Sequence, residues 1–138
     1  MAQPPVFVDT VALLALANRD DALHARARKV HEDLTLSRRT LITSDLVLTE
    51  FLGAAVRQPL REAACRMIQR LRDSVRTRIV PADRQRWDEA YELYAARPDK
   101  QWSLVDCDSI LLCQQESIRQ VFTQDRHFIQ AGLEVLLA

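Results

Sequence analysis

The chain has 138 residues, enough for one domain with a sizeable core, and only two glycines, which argues against a loop-rich or disordered polypeptide. Its 19 basic side chains balance 19 acidic ones, so no global field draws a nucleic acid or a membrane surface toward it. Lys29 and Lys100 are the only lysines. The arginine bias suits bidentate phosphate contact, yet a GC-rich coding sequence produces the same bias, and the composition is neutral on partners. Cys65, Cys107 and Cys113 are odd in number, sit in helical patterns and lack paired spacing. They are expected to be buried free thiols in a reducing compartment, not a disulfide framework or a zinc site. No basic leader precedes the first apolar run, and Val11 to Ala17 is too short to span a bilayer, so a cytoplasmic protein with no membrane association is expected.

Pro4 to Thr10 is a short β-rich run ending in an acid and a hydroxyl, and Val11 to Ala17 then turns helical. Asp9 either caps that helix or stands at the carboxyl end of a first strand, where open α/β sheets place their chemistry. Asp20 to about Leu36 reads as an amphipathic helix with Leu23, Ala27, Val30 and Leu34 on one stripe. His24 and His31 lie among charges there, without a ligand partner one turn on, and are expected at the solvated surface. Leu41 to Thr43 is a second strand, with Ser44 or Asp45 capping the next helix. Glu50 lies in that helix inside an apolar run, between Leu46 and Val47 one turn before and Ala54 one turn after. Such a carboxylate is expected to point into a polar cleft.

Pro59 restarts a helix through about Arg72, with Leu60, Ala64, Met67, Ile68 and Leu71 as its buried stripe. Arg78 to Val80 is a third strand. Asp83 to Arg97 is amphipathic, with Trp87, Ala90, Tyr91 and Tyr94 expected to face inward. Trp102-Ser103-Leu104-Val105-Asp106-Cys107-Asp108-Ser109 opens a strongly apolar helix. Ser103 and Asp106 have the spacing of a capping-box variant, and acids favour helix N-termini in any case. Gln120 to Thr123 is a fourth strand with Asp125 just beyond its carboxyl end, and Glu134 to Leu137 is a last one.

Strands alternating with longer helices predict a three-layer α/β/α sandwich around a mainly parallel sheet, as one domain over residues 1–138. That architecture brings Asp9 and Asp125 to one edge, where Asp106 at a helix start can join them and Glu50 can reach over the cleft. Carboxylates converging without basic partners repel one another. Their natural partner is a hard divalent cation, and an oxygen-only ligand set favours Mg²⁺ or Mn²⁺ over zinc. Residues two apart on a helix point about 200° from each other, so only one of Asp106 and Asp108 can face Asp9. The face of Asp106 carries Ser103 and Ser109, hydroxyls able to hold a ligand carboxylate, whereas that of Asp108 is apolar. Asp106 is therefore the expected ligand, and Asp108 needs an arginine, such as one from the Asp83–Arg97 helix, or a subunit interface.

Four segments in order, Phe7-Val8-Asp9-Thr10, Leu48-Thr49-Glu50, Trp102 to Cys107 and Thr123-Gln124-Asp125-Arg126-His127-Phe128, together resemble the PIN domain. The resemblance runs nearly end to end and is to the single-domain VapC-type toxins of prokaryotic toxin–antitoxin pairs in particular. It implies a PIN-like fold and a Mg²⁺- or Mn²⁺-dependent endoribonuclease that leaves 5′-phosphate and 3′-hydroxyl ends. By position it makes Asp9 and Asp106 primary metal ligands, with Glu50 and Asp125 completing the acidic site. Thr10 and Thr123 would orient water or metal, and His127 would be structural or close to a phosphate. The partners it implies are an RNA substrate, a cognate antitoxin engaging arginines such as Arg126, and a second copy in a homodimer. A catalytically weak PIN-like module that binds RNA or a partner is the alternative. Phosphoryl transfer through an aspartyl nucleophile at Asp9 fits less well, because Val11 stands where a second acid is usual.

Overall fold

In the computed structural model, which describes residues 3–138, the apolar run Val6-Phe7-Val8 becomes β1 (Val6–Val8), the middle strand of the sheet. All three side chains are buried, as a strand covered on both faces requires. The chain continues through α1 (Thr10–Ala17), α2 (His24–Leu36), β2 (Leu41–Ser44), α3 (Asp45–Ala54), α4 (Leu60–Asp73) and β3 (Thr77–Val80). It then forms α5 (Arg84–Ala96), α6 (Leu104–Gln115), β4 (Gln120–Phe122), a 3₁₀ turn at Arg126–Ala131 and β5 (Glu134–Val135). The strands pair in the order β3-β2-β1-β4-β5, every pairing parallel. The parallel α/β sheet expected from the alternation of elements is thus what forms.

The chain runs outward from β1 to β3 through α1 to α4, then returns through α5 and α6 to β4 and β5, the helices flanking the sheet. The strand order reverses between β1 and β4. At such a switch point the two outgoing connections diverge to opposite faces and leave a crevice at the carboxyl ends of the strands. Asp9 follows β1 directly and Asp125 follows β4 by three positions, so both border that crevice.

The elements differ from the sequence expectations in four places. The α2 helix begins at His24, because Asn18 and Asp21 turn the preceding segment by accepting backbone N–H bonds from Asp20 and Leu23. On α5 the buried residue is Ala90, while Trp87, Tyr91 and Tyr94 are between 39% and 52% exposed. Two stripes share that helix one residue apart. The stripe of Arg86, Ala90 and Leu93 packs on the structure, and the aromatic one does not. Cys65 is exposed on α4, although Cys107 and Cys113 are buried. His24 is half-buried, its Nδ1 lying 2.7 Å from the Ala15 carbonyl oxygen, whereas His31 is exposed as expected. No helix among the described residues is long and apolar enough to cross a membrane.

Candidate active site

Asp9 stands at the first position before α1, but its carboxylate does not cap that helix. Its Oδ2 accepts a hydrogen bond from Thr123 Oγ1 at 2.8 Å, which ties the end of β1 to the end of β4 across the switch point. Thr123 also accepts from the Asp125 backbone N–H at 3.1 Å. One buried hydroxyl therefore sets the relative position of two acids that are far apart in sequence. Asp9 is only 3% exposed. Burial, with repulsion from Asp106 and Glu50 behind it, pushes its carboxyl up to about 6 against the opposing hydrogen bond from Thr123.

Asp106 belongs to a complete capping box on α6. Ser103 Oγ accepts the Asp106 N–H at 3.0 Å, and Asp106 Oδ2 accepts the Ser103 N–H at 3.0 Å. The cap does not remove Asp106 from the crevice, because Oδ2 also lies 3.4 Å from His127 Nδ1. Capping and site membership are compatible, and the cap fixes the rotamer. The Asp106 carboxyl is held above the usual range, by burial first and by the nearby Asp125 charge.

Asp125 caps the 3₁₀ turn, its Oδ1 accepting the His127 N–H at 2.9 Å and lying 3.2 Å from His127 Nδ1. The turn is pinned by buried Phe128, by Trp102 Nε1 donating to the His127 carbonyl oxygen at 3.0 Å, and by Gly132 in the left-handed region at its end. Asp106, Asp125 and His127 each offer a ligand atom within 4.8 Å of the others.

The remaining expected residues sit further out. Glu50 is exposed on α3, not sheltered in the cleft, yet its charge reaches Asp9. Thr10 turns its hydroxyl to the Val47 carbonyl oxygen at 3.5 Å rather than to an aspartate. Asp108 faces the other way from Asp106, where Arg86 of α5 donates to its Oδ1 at 2.8 Å in a pair 18% and 2% exposed. This is the arginine that the helix register called for. The role of Trp102 in anchoring the His127 segment was not legible. An indole at that position gives no signal of a partner 25 residues on.

Among the described residues no arginine or lysine forms an ion pair with Asp9, Asp106 or Asp125, and the buried His127 Nδ1 has no aligned hydrogen-bond partner. Carboxylates gathered in a crevice without a basic counter-charge, beside an imidazole nitrogen left unsatisfied, make a donor set that fits a divalent cation.

A family model described as PIN domain matches residues 6–133. The chain belongs to the PIN-domain family. Over 128 residues this PIN domain is 29% identical to the 23S rRNA-specific endonuclease VapC20 of Mycobacterium tuberculosis, recorded from two strains, covering 92% of this chain and 94% of the relative. A crystal structure of the same Mycobacterium tuberculosis VapC20, described as a sarcin-ricin loop cleaving toxin, superposes with a TM-score of 0.80 at 26% identity, over 93% of this chain and 95% of that one. The FitAcB structure from Neisseria gonorrhoeae shares the fold, with a TM-score of 0.62 at 18% identity over 94% and 95% of the two chains.

Proposed function

We propose that this PIN domain is a divalent-metal-dependent endoribonuclease and the toxin of a toxin–antitoxin pair. The observation that carries the reading is the cluster of ligand atoms on Asp106, Asp125 and His127, with Asp9 tied to it through Thr123 and, among the described residues, no arginine or lysine paired with any of the three acids. The likeness to a 23S rRNA-specific endonuclease over nearly the whole of both chains supports it. Asp9, Asp106 and Asp125 would hold Mg²⁺ or Mn²⁺, with Glu50 contributing charge from the rim and His127 close at hand. A bound cation supplies charge neutralisation at the scissile phosphate and makes a coordinated water more acidic. The chain's own groups fix the acids in place: Thr123 holds Asp9, Ser103 holds Asp106, and the His127 backbone N–H holds Asp125. Water addition at phosphorus with release of the 3′ oxygen leaves the 5′-phosphate and 3′-hydroxyl ends that the family likeness implies.

Purified protein free of inhibitor should cut RNA in Mg²⁺ or Mn²⁺ and stop on chelation. Ribosomal RNA is the first substrate to try, given the relative's target. Cleavage that continues undiminished in excess EDTA overturns the mechanism, and RNA binding without any cleavage favours the non-catalytic module. An antitoxin segment is proposed to engage exposed Arg126 beside the crevice, so co-expression with a cognate neighbour should rescue a host poisoned by this chain. A homodimer is also proposed, supported by the exposed Trp87, Tyr91 and Tyr94 face of α5. Sedimentation should then show a dimer that Tyr91→Glu splits.

A further inference from the structure

A groove of about 650 Å³ opens between α2 and α4 at the sheet edge opposite the aspartates, reaching Leu41 and Thr77, the first residues of β2 and β3. Arg19, Arg28, Arg39, Arg66, Arg70 and Arg76 line it, together with His24 and His31, and no aspartate or glutamate does. Part of its floor is apolar, from Leu34, Met67 and Leu71. Some of these guanidinium groups are engaged. Arg39 bonds the Pro4 carbonyl and Gln120, Arg76 bonds the Arg38 carbonyl, and Arg66 meets Glu62 in an exposed pair at 3.5 Å. Arg19, Arg28 and Arg70 have no hydrogen-bond or ion-pair partner among the described residues, although many arginines elsewhere on this surface do. His31, whose ring is exposed at the mouth but loses part of its hydration to the groove wall, is held below its ordinary range by that desolvation and by the Arg70 guanidinium, against the opposing Glu32.

An electroneutral chain with a carboxylate cluster at its cutting edge has no general means of attracting RNA, since phosphates and acids repel. Near the aspartates, Arg86 is engaged by Asp108, which leaves Arg126 as the exposed arginine adjoining them in sequence. The positive charge that an RNA enzyme needs is gathered instead in the groove, where apolar walls focus it. We propose that the groove between α2 and α4 is a second RNA-binding surface, taking the phosphate backbone of a folded substrate at a distance from the scissile bond. The proposal rests on the ribonuclease reading above. Four residues of strand, roughly 13 Å, separate the two edges, so an oligonucleotide with one residue on each side of the scissile bond stays clear of the groove, whereas a folded RNA reaches both. Guanidinium forks on two facing helices suit phosphates approached from both sides.

The test compares wild type with the Arg28→Glu/Arg70→Glu double variant on two substrates: a long folded ribosomal RNA fragment, and a short single-stranded oligonucleotide confined to its cleavage site. The expected result is a KM for the folded RNA raised tenfold or more with kcat unchanged, and unaltered cleavage of the oligonucleotide. The slope of log KM against log salt on the folded RNA should also fall by about two. Arg28→Gln/Arg70→Gln should give a smaller shift in the same direction, and intact oligonucleotide cleavage certifies the fold of either variant. An unchanged KM on folded RNA overturns the proposal, even if the variant no longer binds an acidic protein segment, a result that would assign the groove to a protein partner. Equal loss on both substrates overturns it as well. Failure of the wild type to cut either RNA strikes the ribonuclease reading instead.

Discussion

Asp9 carries a cost in the metal-free protein. Its carboxyl titrates near 6, against 3.8 for an unburied aspartate. The folded state thus holds this proton more tightly than the unfolded chain. The stabilisation it brings is complete below the unfolded value and is lost as pH rises through the folded one. Between about pH 4 and pH 7 the metal-free protein should lose on the order of 3 kcal/mol from this group. Asp9→Asn keeps an acceptor for Thr123 and has no charge to bury. In EDTA it should be more stable than wild type at pH 7, with the difference closing below about pH 4, and it should have lost most cleavage activity. Urea denaturation at several pH values checks the first part. A variant less stable than wild type at every pH contradicts the role given to burial.

At the scale of elements, α5 and α6 are joined by the buried Arg86–Asp108 pair together with an exposed Gln115–Glu89 hydrogen bond. Removing one partner of a buried pair leaves an uncompensated charge, so Arg86→Ala should cost about 3 kcal/mol or more, while Arg86→Met with Asp108→Leu should recover most of that. Asp108→Asn should leave metal affinity and cleavage within a few-fold of wild type. If Asp108→Asn is as dead as Asp106→Asn, the division of labour between the two faces of α6 is wrong. The opposite facing of Asp106 and Asp108 was legible in the sequence, because helix geometry alone separates positions two apart. The strands, the order of the helices and the Ser103 cap were legible for the same reason, since each follows from local periodicity or a short-range hydrogen bond. The aromatic stripe of α5 was not. Periodicity shows that Trp87, Tyr91 and Tyr94 share a face, but Ala90 and Arg86 win the interior through a partner, Asp108, 22 residues further along the chain. Glu50 shows the same limit, since an apolar neighbourhood in sequence did not bury it.

At the scale of the molecule, the parallel order β3-β2-β1-β4-β5 is what assembles acids from the two ends of the sequence. Net charge said nothing of this, nor of the basic groove at the opposite edge, because a balanced total hides any separation of sign. An assembled site that binds metal only when folded must stabilise the fold by mass action. At a hundred times its Kd, Mn²⁺ should add about 2.7 kcal/mol, read as a rise in Tm that EDTA reverses. Asp106→Asn should lose that rise, whereas the Arg28→Glu/Arg70→Glu variant should keep it.

The hydrogen bonds that orient the three aspartates also bias the way each can approach a cation. Asp9 Oδ2, Asp106 Oδ2 and Asp125 Oδ1 each accept a bond from the chain, so in each carboxylate one oxygen is held by a protein donor and keeps one lone pair, while the other has both open. A carboxylate whose plane is fixed in this way favours monodentate over bidentate coordination. Ca²⁺ takes six to eight oxygens and readily uses both of a carboxylate, whereas Mg²⁺ demands a compact octahedron and keeps several waters. Monodentate ligands therefore discriminate by size and coordination number, and a thermal shift titration should find Ca²⁺ a weaker ligand than Mn²⁺. Thr123→Val releases Asp9 Oδ2 and should narrow that gap.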